Sequence, residues 1–401
     1  MSTSNASDEA PSATGSAGLD QILNGGFTPN RLYLIEGDPG AGKTTLALRY
    51  LLEGAAHGEA GLYVTLSETK EEINVVAESH GWSLDGIHIV ELVASEDSLT
   101  PDSQYTMFHP SETELGETTR AVLDAVERVK PRRVVFDSLS ELRLLAQNPL
   151  RYRRQILALK QFFAGRRCTV LLLDDRTSDD SDLQVRSIAH GVLTLEQLSP
   201  EYGAERRRLR VVKLRGKSYR GGYHDFTIVR GGLDVFPRLV AVEHPHAFAR
   251  ETVPSGVKLL DDLVGGGLDR GTSTLILGPA GSGKSSVAAQ YAVAAAARGE
   301  PVAIFAFDES RATLIARSAG LGIDLRPHIE SGVVAVQQVD PAEMSPGEFV
   351  QTVRRPISGV RCRRTQGRRG PCRTGPPRAA RTASASHRAG RGTGRGVRPP
   401  T

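Results

Sequence analysis

A glycine-rich loop occurs twice in this chain, 241 residues apart, and each copy restricts its surroundings to one arrangement of strand, loop and helix. The first reads Gly37-Asp38-Pro39-Gly40-Ala41-Gly42-Lys43-Thr44 and the second Gly278-Pro279-Ala280-Gly281-Ser282-Gly283-Lys284-Ser285. Both fit G-x-x-x-x-G-K-[ST] and both follow an apolar run, Leu32 to Ile35 or Leu275 to Leu277. Both continue through Thr45 or Ser286 into a helix-like stretch. That context is what a phosphate-binding loop requires. Glycines let successive backbone N–H groups curl around phosphate oxygens, and a helix N-terminus favours the anion. Lys43 and Lys284 are then placed for the β- and γ-phosphates of a nucleotide, and the hydroxyls of Thr44 and Ser285 for Mg²⁺.

The repetition extends well beyond the loops. At the same offset, without gaps, Gly15 matches Gly256, Leu19 matches Leu260 and Asp20 matches Asp261. Tyr50 with Tyr291, Gly58 with Gly299, Glu68 with Glu309 and Leu84 with Leu325 continue the register. Such self-similarity marks tandem homologous domains. In copy 1, apolar strand-like runs (Leu62 to Leu66, Val134 to Phe136, Thr169 to Leu173, Val192 to Leu195, Leu209 to Leu214) alternate with helix-like stretches such as Thr118 to Val129 and Arg151 to Phe163. Asp225 to Phe236 reads as a hairpin around Gly231-Gly232. The alternation predicts an α/β domain with a central, mainly parallel sheet and flanking helices.

The expected organisation is a disordered N-terminus (1–13), a first domain (14–243), a linker (244–251), a second domain that stops short (252–353) and a disordered tail (354–401). Copy 2 keeps its loop, a strand at Val302 to Phe307, a helix near Arg311 to Ala319, a strand at Val333 to Val336 and a helix start at Pro346 to Val353. Beyond that the pattern ends. The formal charge of +4 conceals the change: 14 of the 50 Lys and Arg residues lie in 354–401, which has no Asp or Glu. That leaves 36 bases against 46 acids in the body, which is acidic. The tail is either an arginine-rich arm for acidic partners or out-of-frame translation that cuts the second domain; its position in mid-domain favours the latter. No apolar run is long enough to span a bilayer. Cys168, Cys362 and Cys372 form no disulfide or metal pattern, Cys168 reads as a core residue, and the cytoplasm is the expected location.

Hydrolysis needs an acid for the metal's water shell and a group that polarises the attacking water. Asp137 ends the apolar strand Val134-Val135-Phe136 and is the candidate magnesium acid, with an N-cap or turn role as the alternative. Glu68, in Ser67-Glu68-Thr69, and its counterpart Glu309, in Asp308-Glu309-Ser310, follow the next strand and can face the γ-phosphate. The alternative for these glutamates is helix capping. Copy 2 has no acid after Glu348, so its magnesium acid is missing and its hydrolysis should be crippled.

The tandem loops, Ser67-Glu68-Thr69, Val134-Val135-Phe136-Asp137-Ser138 and Val211-Val212-Lys213-Leu214-Arg215-Gly216 together resemble the KaiC-like ATPases of the RecA/RadA superfamily. Gly232-Leu233-Asp234-Val235-Phe236-Pro237 and Phe307-Asp308-Glu309-Ser310-Arg311 resemble the same family. The likeness spans residues 14–353. It implies tandem RecA-like P-loop NTPase domains, ATP and Mg²⁺ as ligands, and a hexameric homo-oligomeric ring with ATP at the subunit interfaces. It also implies that Lys213 and Arg215 reach a neighbour's γ-phosphate; otherwise the two simply share one exposed strand face. The hydroxyl phosphosites of the family's clock kinases lie in a segment that has no counterpart before residue 354, so autokinase activity is carried by the family label and not by these residues.

Two other readings compete with a ring-forming signalling ATPase. One is a RecA/RadA-type DNA-handling motor. Against it, the stretch from Asp174 to Asp182 puts five aspartates where such proteins face DNA, which repels phosphate. The cluster Arg143, Arg151, Arg153 and Arg154 points the other way, or is a solvated helix face. The other reading is a nucleotide-gated scaffold with little turnover. Protein partners are not legible in the chain.

Overall fold

Strand residues in copy 1 sort alternately onto two faces, as the period of two requires. Tyr33 and Ile35 enter one apolar cluster with Val135, Leu171 and Leu173. Leu32 and Leu34 enter the other with Val134, Phe136, Val170 and Leu172. Strands buried on both faces are near-continuous apolar runs because a parallel sheet is covered by helices on each side. The computed structural model describes residues 10–92, 110–175, 183–240 and 250–363.

Copy 1 runs α1 (Ala17–Ile22), β1 (Leu32–Gly37), α2 (Lys43–Ala56), β2 (Gly61–Thr65), α3 (Lys70–Ser79), β3 (Ile87–Glu91), α4 (Pro110–Val129), β4 (Arg133–Asp137), α5 (Leu139–Ala146) and α6 (Pro149–Ala164). It continues with β5 (Thr169–Asp175), α7 (Leu183–Ile188), β6 (Gly191–Leu198), β7 (Arg206–Leu214), β8 (Tyr223–Val229) and β9 (Gly232–Phe236). The sheet order is β3-β2-β4-β5-β1-β6-β7-β8-β9. The strands from β3 to β6 in that order are parallel, and β6 to β9 pair antiparallel. The expected α/β architecture and the hairpin turning at Gly231-Gly232 are both present. β1 is central, held by β5 on one side and β6 on the other. Its carboxyl end, where open α/β sheets bind ligands, leads into the first glycine-rich loop.

Copy 2 runs β10 (Thr252–Val253), α8 (Lys258–Leu263), β11 (Leu268–Asp269), α9 (Lys284–Ala297), β12 (Val302–Ala306), α10 (Arg311–Gly320), α11 (Arg326–Glu330), β13 (Val334–Gln338) and α12 (Pro346–Arg363). The repeat is visible in individual hydrogen bonds. Thr14 N donates to Asp20 Oδ1 at 2.8 Å, and Ser255 N to Asp261 Oδ1 at 2.7 Å. The two copies touch: Ala204 N donates to Ala342 O at 3.0 Å, and Gly347 N to Asp225 Oδ2 at 2.7 Å. Contacts group the described residues up to Val360 as one compact unit.

Two expectations are corrected. The apolar run Leu275 to Leu277 forms no strand; Leu275 and Leu277 are 79% and 80% exposed. The reason is pairing. β1 is held between β5 and β6, and among the described residues copy 2 has no strand paired to this run. The same lack of cover leaves Leu263 83% exposed where its counterpart Ile22 is 0%. Separately, α12 runs to Arg363, nine residues past the position 354 at which the tail is expected to begin, and residues 364–401 lie outside the described ones. The other correction is that Asp174 and Asp175 belong to β5 and not to a loop, while 176–182 lie outside the described residues. Most of the expected linker, 244–249, also lies outside them.

Candidate nucleotide site

The first loop is shaped by backbone that only glycine adopts easily. Gly40 and Gly42 have φ of 78° and 98°, the left-handed region. A Cβ on Gly42 would lie 2.9 Å from Ile228 Cδ1. Gly42 is the N-cap of α2 and supplies no side-chain cap, so the first-turn N–H groups face outward as an anion cradle. Lys43 is buried, and its Nζ donates to Gly37 O at 2.8 Å and Asp38 O at 3.0 Å. It also pairs with Asp175 Oδ1 at 2.8 Å.

Asp137 ends β4 directly opposite Thr65 on β2. Its Oδ2 accepts from Thr44 Oγ1 at 3.3 Å and from the Tyr63 hydroxyl at 2.5 Å. Burial holds the Asp137 carboxyl above its ordinary pKa, while the hydrogen bond from Tyr63, the charge of Lys43 and the Thr44 hydroxyl oppose the shift. Thr44 and Asp137 thus meet, as the expected metal role requires. A hydroxyl and a strand-end carboxylate suit Mg²⁺, which takes one or two protein oxygens and the substrate's phosphates. Among the described residues no cluster of three or more His, Cys, Asp or Glu could hold a metal by itself.

Glu68 follows β2 in a turn fastened by Thr65. Thr65 Oγ1 donates to Glu68 O at 2.7 Å, and Glu68 N donates back at 3.0 Å. The capping alternative for Glu68 fails, because the capping acid of α3 is Glu72, which forms a reciprocal box with Thr69. Glu68 Oε2 is buried without a hydrogen-bond partner. Burial raises its pKa, helped by the carboxylates of Asp137, Glu72 and Asp175 and opposed by Lys43.

Tyr63, Asp175 and Ser140 are site residues that the sequence reading missed. Ser140 Oγ donates to Asp174 Oδ1 at 3.2 Å and to Asp175 Oδ2 at 3.3 Å, tying α5 to the end of β5. The signal for Asp175 was available: like Asp137, it ends an apolar strand. Tyr63 carries no such signal, since a tyrosine inside an apolar run reads as core. Asp174 pairs with Arg143 at 2.6 Å. Two of the five aspartates counted against DNA are therefore already paired, and so is one arginine of the opposing cluster. Arg151 and Arg154 on α6 are exposed.

Lys213 and Arg215 lie away from this site. Lys213 is opposite Val192 at the start of β6, and the loop follows Gly37, which is opposite Leu195. The separation along the strands is on the order of 10 Å. Lys213 Nζ donates to Arg186 O at 2.5 Å, and Arg215 Nη2 to Ser187 O at 2.8 Å. Burial, then the charges of Arg215 and Lys160, lower the Lys213 pKa.

The second loop repeats the first in form. Gly281 and Gly283 have φ of 78° and 88°, and Lys284 Nζ donates to Gly278 O and Pro279 O, each at 2.8 Å. Ser285, Asp308 and Glu309 border a cavity of about 490 Å³ between α9 and β12. Unlike Glu68, Glu309 is paired, with Arg317 at 2.7 Å. The position matching Asp137 is Arg378, outside the described residues.

A left-handed glycine loop opening a helix, a lysine folded into it, and a strand-end aspartate against its hydroxyl define a P-loop nucleotide-binding domain. A family-wide sequence pattern described as "ATPase: KaiC" matches residues 12–240 and 253–357. The chain belongs to the KaiC ATPase family. It is 30% identical over 340 residues to the circadian clock protein KaiC2 of Synechocystis sp., covering 82% of this chain and 58% of that protein. It is 27% identical over 347 residues to the circadian clock oscillator protein KaiC of Parathermosynechococcus lividus (85% and 63%). Against the KaiC of Picosynechococcus sp. it is also 27% identical over 347 residues (85% and 66%). The chain thus spans less than two thirds of the length of these relatives. Among the described residues, no helix is long and apolar enough to cross a membrane.

Proposed function

We propose that copy 1 is an ATP-hydrolysing site in which Glu68 prepares the attacking water. The observation that carries this reading is the buried, unpartnered Oε2 of Glu68 in the electrostatic reach of Lys43 and Asp137. Residues Gly37 to Thr45 cradle the triphosphate. Lys43 leaves Asp175 for the β- and γ-phosphates, and Thr44 with Asp137 holds Mg²⁺, which neutralises phosphate charge when bound. A carboxylate with a raised pKa is a better proton acceptor than an ordinary one, provided it stays ionised at the working pH.

Lys213 and Arg215 lie toward the end of the strands opposite their own loop, which supports their acting on a neighbouring subunit in a hexameric ring. There a cation supplied in trans would stabilise charge on the transferring phosphate. The ring works in the cytoplasm as a regulatory or signalling device for a protein partner, not on DNA. Copy 2 binds nucleotide through Gly278 to Ser286 with little turnover, and autokinase activity is not expected.

The test pairs ATP affinity with turnover in the full chain and its Glu68→Gln variant. Turnover should fall about 10²-fold or more while affinity stays near that of the unmodified chain. Equal turnover in the two proteins would leave a nucleotide-gated scaffold as the reading. Light scattering with and without ATP tests assembly separately.

A further inference from the structure

We propose that the cavity at the base of the first sheet, at the end of the strands opposite the P-loop, binds a phosphate-type oxyanion. The cavity is about 250 Å³ and is bordered by Arg31, Lys160, His190 and Arg215, with Leu32, Phe163 and Cys168 as its apolar floor. Topology brings these residues together: Arg31 precedes β1, Cys168 precedes β5, His190 precedes β6, Arg215 follows the antiparallel β7, and Lys160 lies on α6. The site is distinct from the nucleotide cradle, which lies past the other end of β1, roughly 16 Å away along the strand.

Charge identifies the ligand class. Lys160 Nζ donates to Ile188 O at 2.8 Å, Arg215 Nη2 to Ser187 O at 2.8 Å, and Arg31 Nη1 to Asn30 O at 3.1 Å. All these partners are carbonyls, and among the described residues no carboxylate pairs with the three cations. Lysine has three N–H donors and arginine five, so each keeps donors for a ligand. His190 Nε2 is buried with no hydrogen-bond partner. Burial and the charges of Arg31, Arg215 and Lys160 hold the His190 pKa below its ordinary value, opposed by a backbone hydrogen bond between its ring and Arg215. Convergent cations with no acid between them repel one another, and a multidentate anion relieves that repulsion while satisfying the orphan nitrogen. An apolar floor strengthens the attraction by excluding water. Cys168 is no nucleophile here: its Sγ donates to Pro131 O at 3.0 Å, and burial pushes the thiol pKa up to about 11.

Arg215 also figures in the ring reading, but Arg31, Lys160 and His190 do not, and the cavity is complete within one chain. The inference therefore stands or falls separately from assembly. The test uses the full chain with Lys43→Ala and Lys284→Ala, which disable both P-loops. Orthophosphate is titrated calorimetrically at constant ionic strength, and ATP in a second arm shows whether nucleotide phosphates enter as well as the free ion. Saturable phosphate binding should appear. It should weaken tenfold or more on adding Lys160→Ala or Arg31→Ala, and stay within twofold on adding Arg154→Ala, an exposed cation on the same helix as Lys160. His190→Gln, a neutral and polar replacement, gives an independent variant should either charge deletion unfold the chain; it too should weaken binding. No saturable phosphate uptake, or equal losses in all variants including Arg154→Ala, would overturn the proposal.

Discussion

Replacing Tyr63 by Phe removes one oxygen from the interior of the first domain and tests the electrostatic account of Asp137. The Tyr63 hydroxyl donates to Asp137 Oδ2 at 2.5 Å, and Asp137 is only 7% exposed. After the change the carboxylate keeps the weaker 3.3 Å bond from Thr44 and the nearby charge of Lys43. A hydrogen bond to a buried charged group is worth about 1.5–3 kcal/mol. For a domain of this size each kcal/mol moves Tm by about 2–4 °C, so a fall of about 3–12 °C is expected at pH 8 without nucleotide. The pH dependence carries the sign. Burial raises the folded pKa of Asp137 above its unfolded value, so the ionised carboxylate costs stability above the unfolded pKa and costs nothing below it. Tyr63 reduces that cost, and Tyr63→Phe restores it only where Asp137 is ionised. The Tm difference should therefore be full at pH 8 and shrink as pH falls through the folded pKa of Asp137. Differential scanning calorimetry of both proteins across that range is the assay. A shift below about 1 °C at pH 8, or a deficit that does not shrink in acid, would refute the reasoning.

Other perturbations separate the remaining roles. Gly42→Ala forces a side chain onto a left-handed residue 2.9 Å from Ile228 Cδ1; it should cost about 1–3 kcal/mol and abolish nucleotide binding at copy 1, read by titration of a fluorescent ATP analogue in a Lys284→Ala background. Thr69→Ala breaks the capping box of α3 and should cost about 0.5–2 kcal/mol while ATP turnover per folded molecule changes less than twofold; a collapse of turnover would tie Glu68 to that cap after all. Asp175→Asn releases Lys43 Nζ from a competing carboxylate that is 37% exposed. Solvent screening limits such a pair to about 0–1 kcal/mol, so ATP should bind up to about fivefold more tightly, and weaker binding would make Asp175 a positioning group instead.

Much of this was legible because it is local. The P-loop glycines, the strand–helix alternation of copy 1 and the hairpin at Gly231-Gly232 depend on neighbours in sequence, and all appear where the pattern puts them. Glu68 was legible as a site residue through its repeat partner Glu309, yet only the structure separates it from capping, by giving that task to Glu72. Asp175 was misplaced because a run of aspartates reads as loop, whereas the ladder β1–β5 extends to the pair Gly37–Asp175. Tyr63 could not be read at all: its role depends on β4 lying beside β2, a pairing between residues more than seventy positions apart.

The second loop shows how far local encoding reaches. Lys284 folds onto Gly278 O and Pro279 O as Lys43 folds onto Gly37 O and Asp38 O, although no strand leads directly into that loop. Glycine conformations and the helix N-terminus are therefore sufficient to shape the cradle. They are not sufficient to equip it. In copy 1 the lysine's third partner and the hydroxyl's carboxylate come from β5 and β4, strands that enter the sheet about a hundred residues later and align through parallel pairing with β1 and β2. Copy 2 offers the cradle with only the two-stranded sheets β10-β11 and β12-β13 among the described residues. Anion binding needs the loop alone, whereas hydrolysis needs the acids that non-local strands deliver. Any ATP turnover by this chain should accordingly vanish with Lys43→Ala and persist with Lys284→Ala.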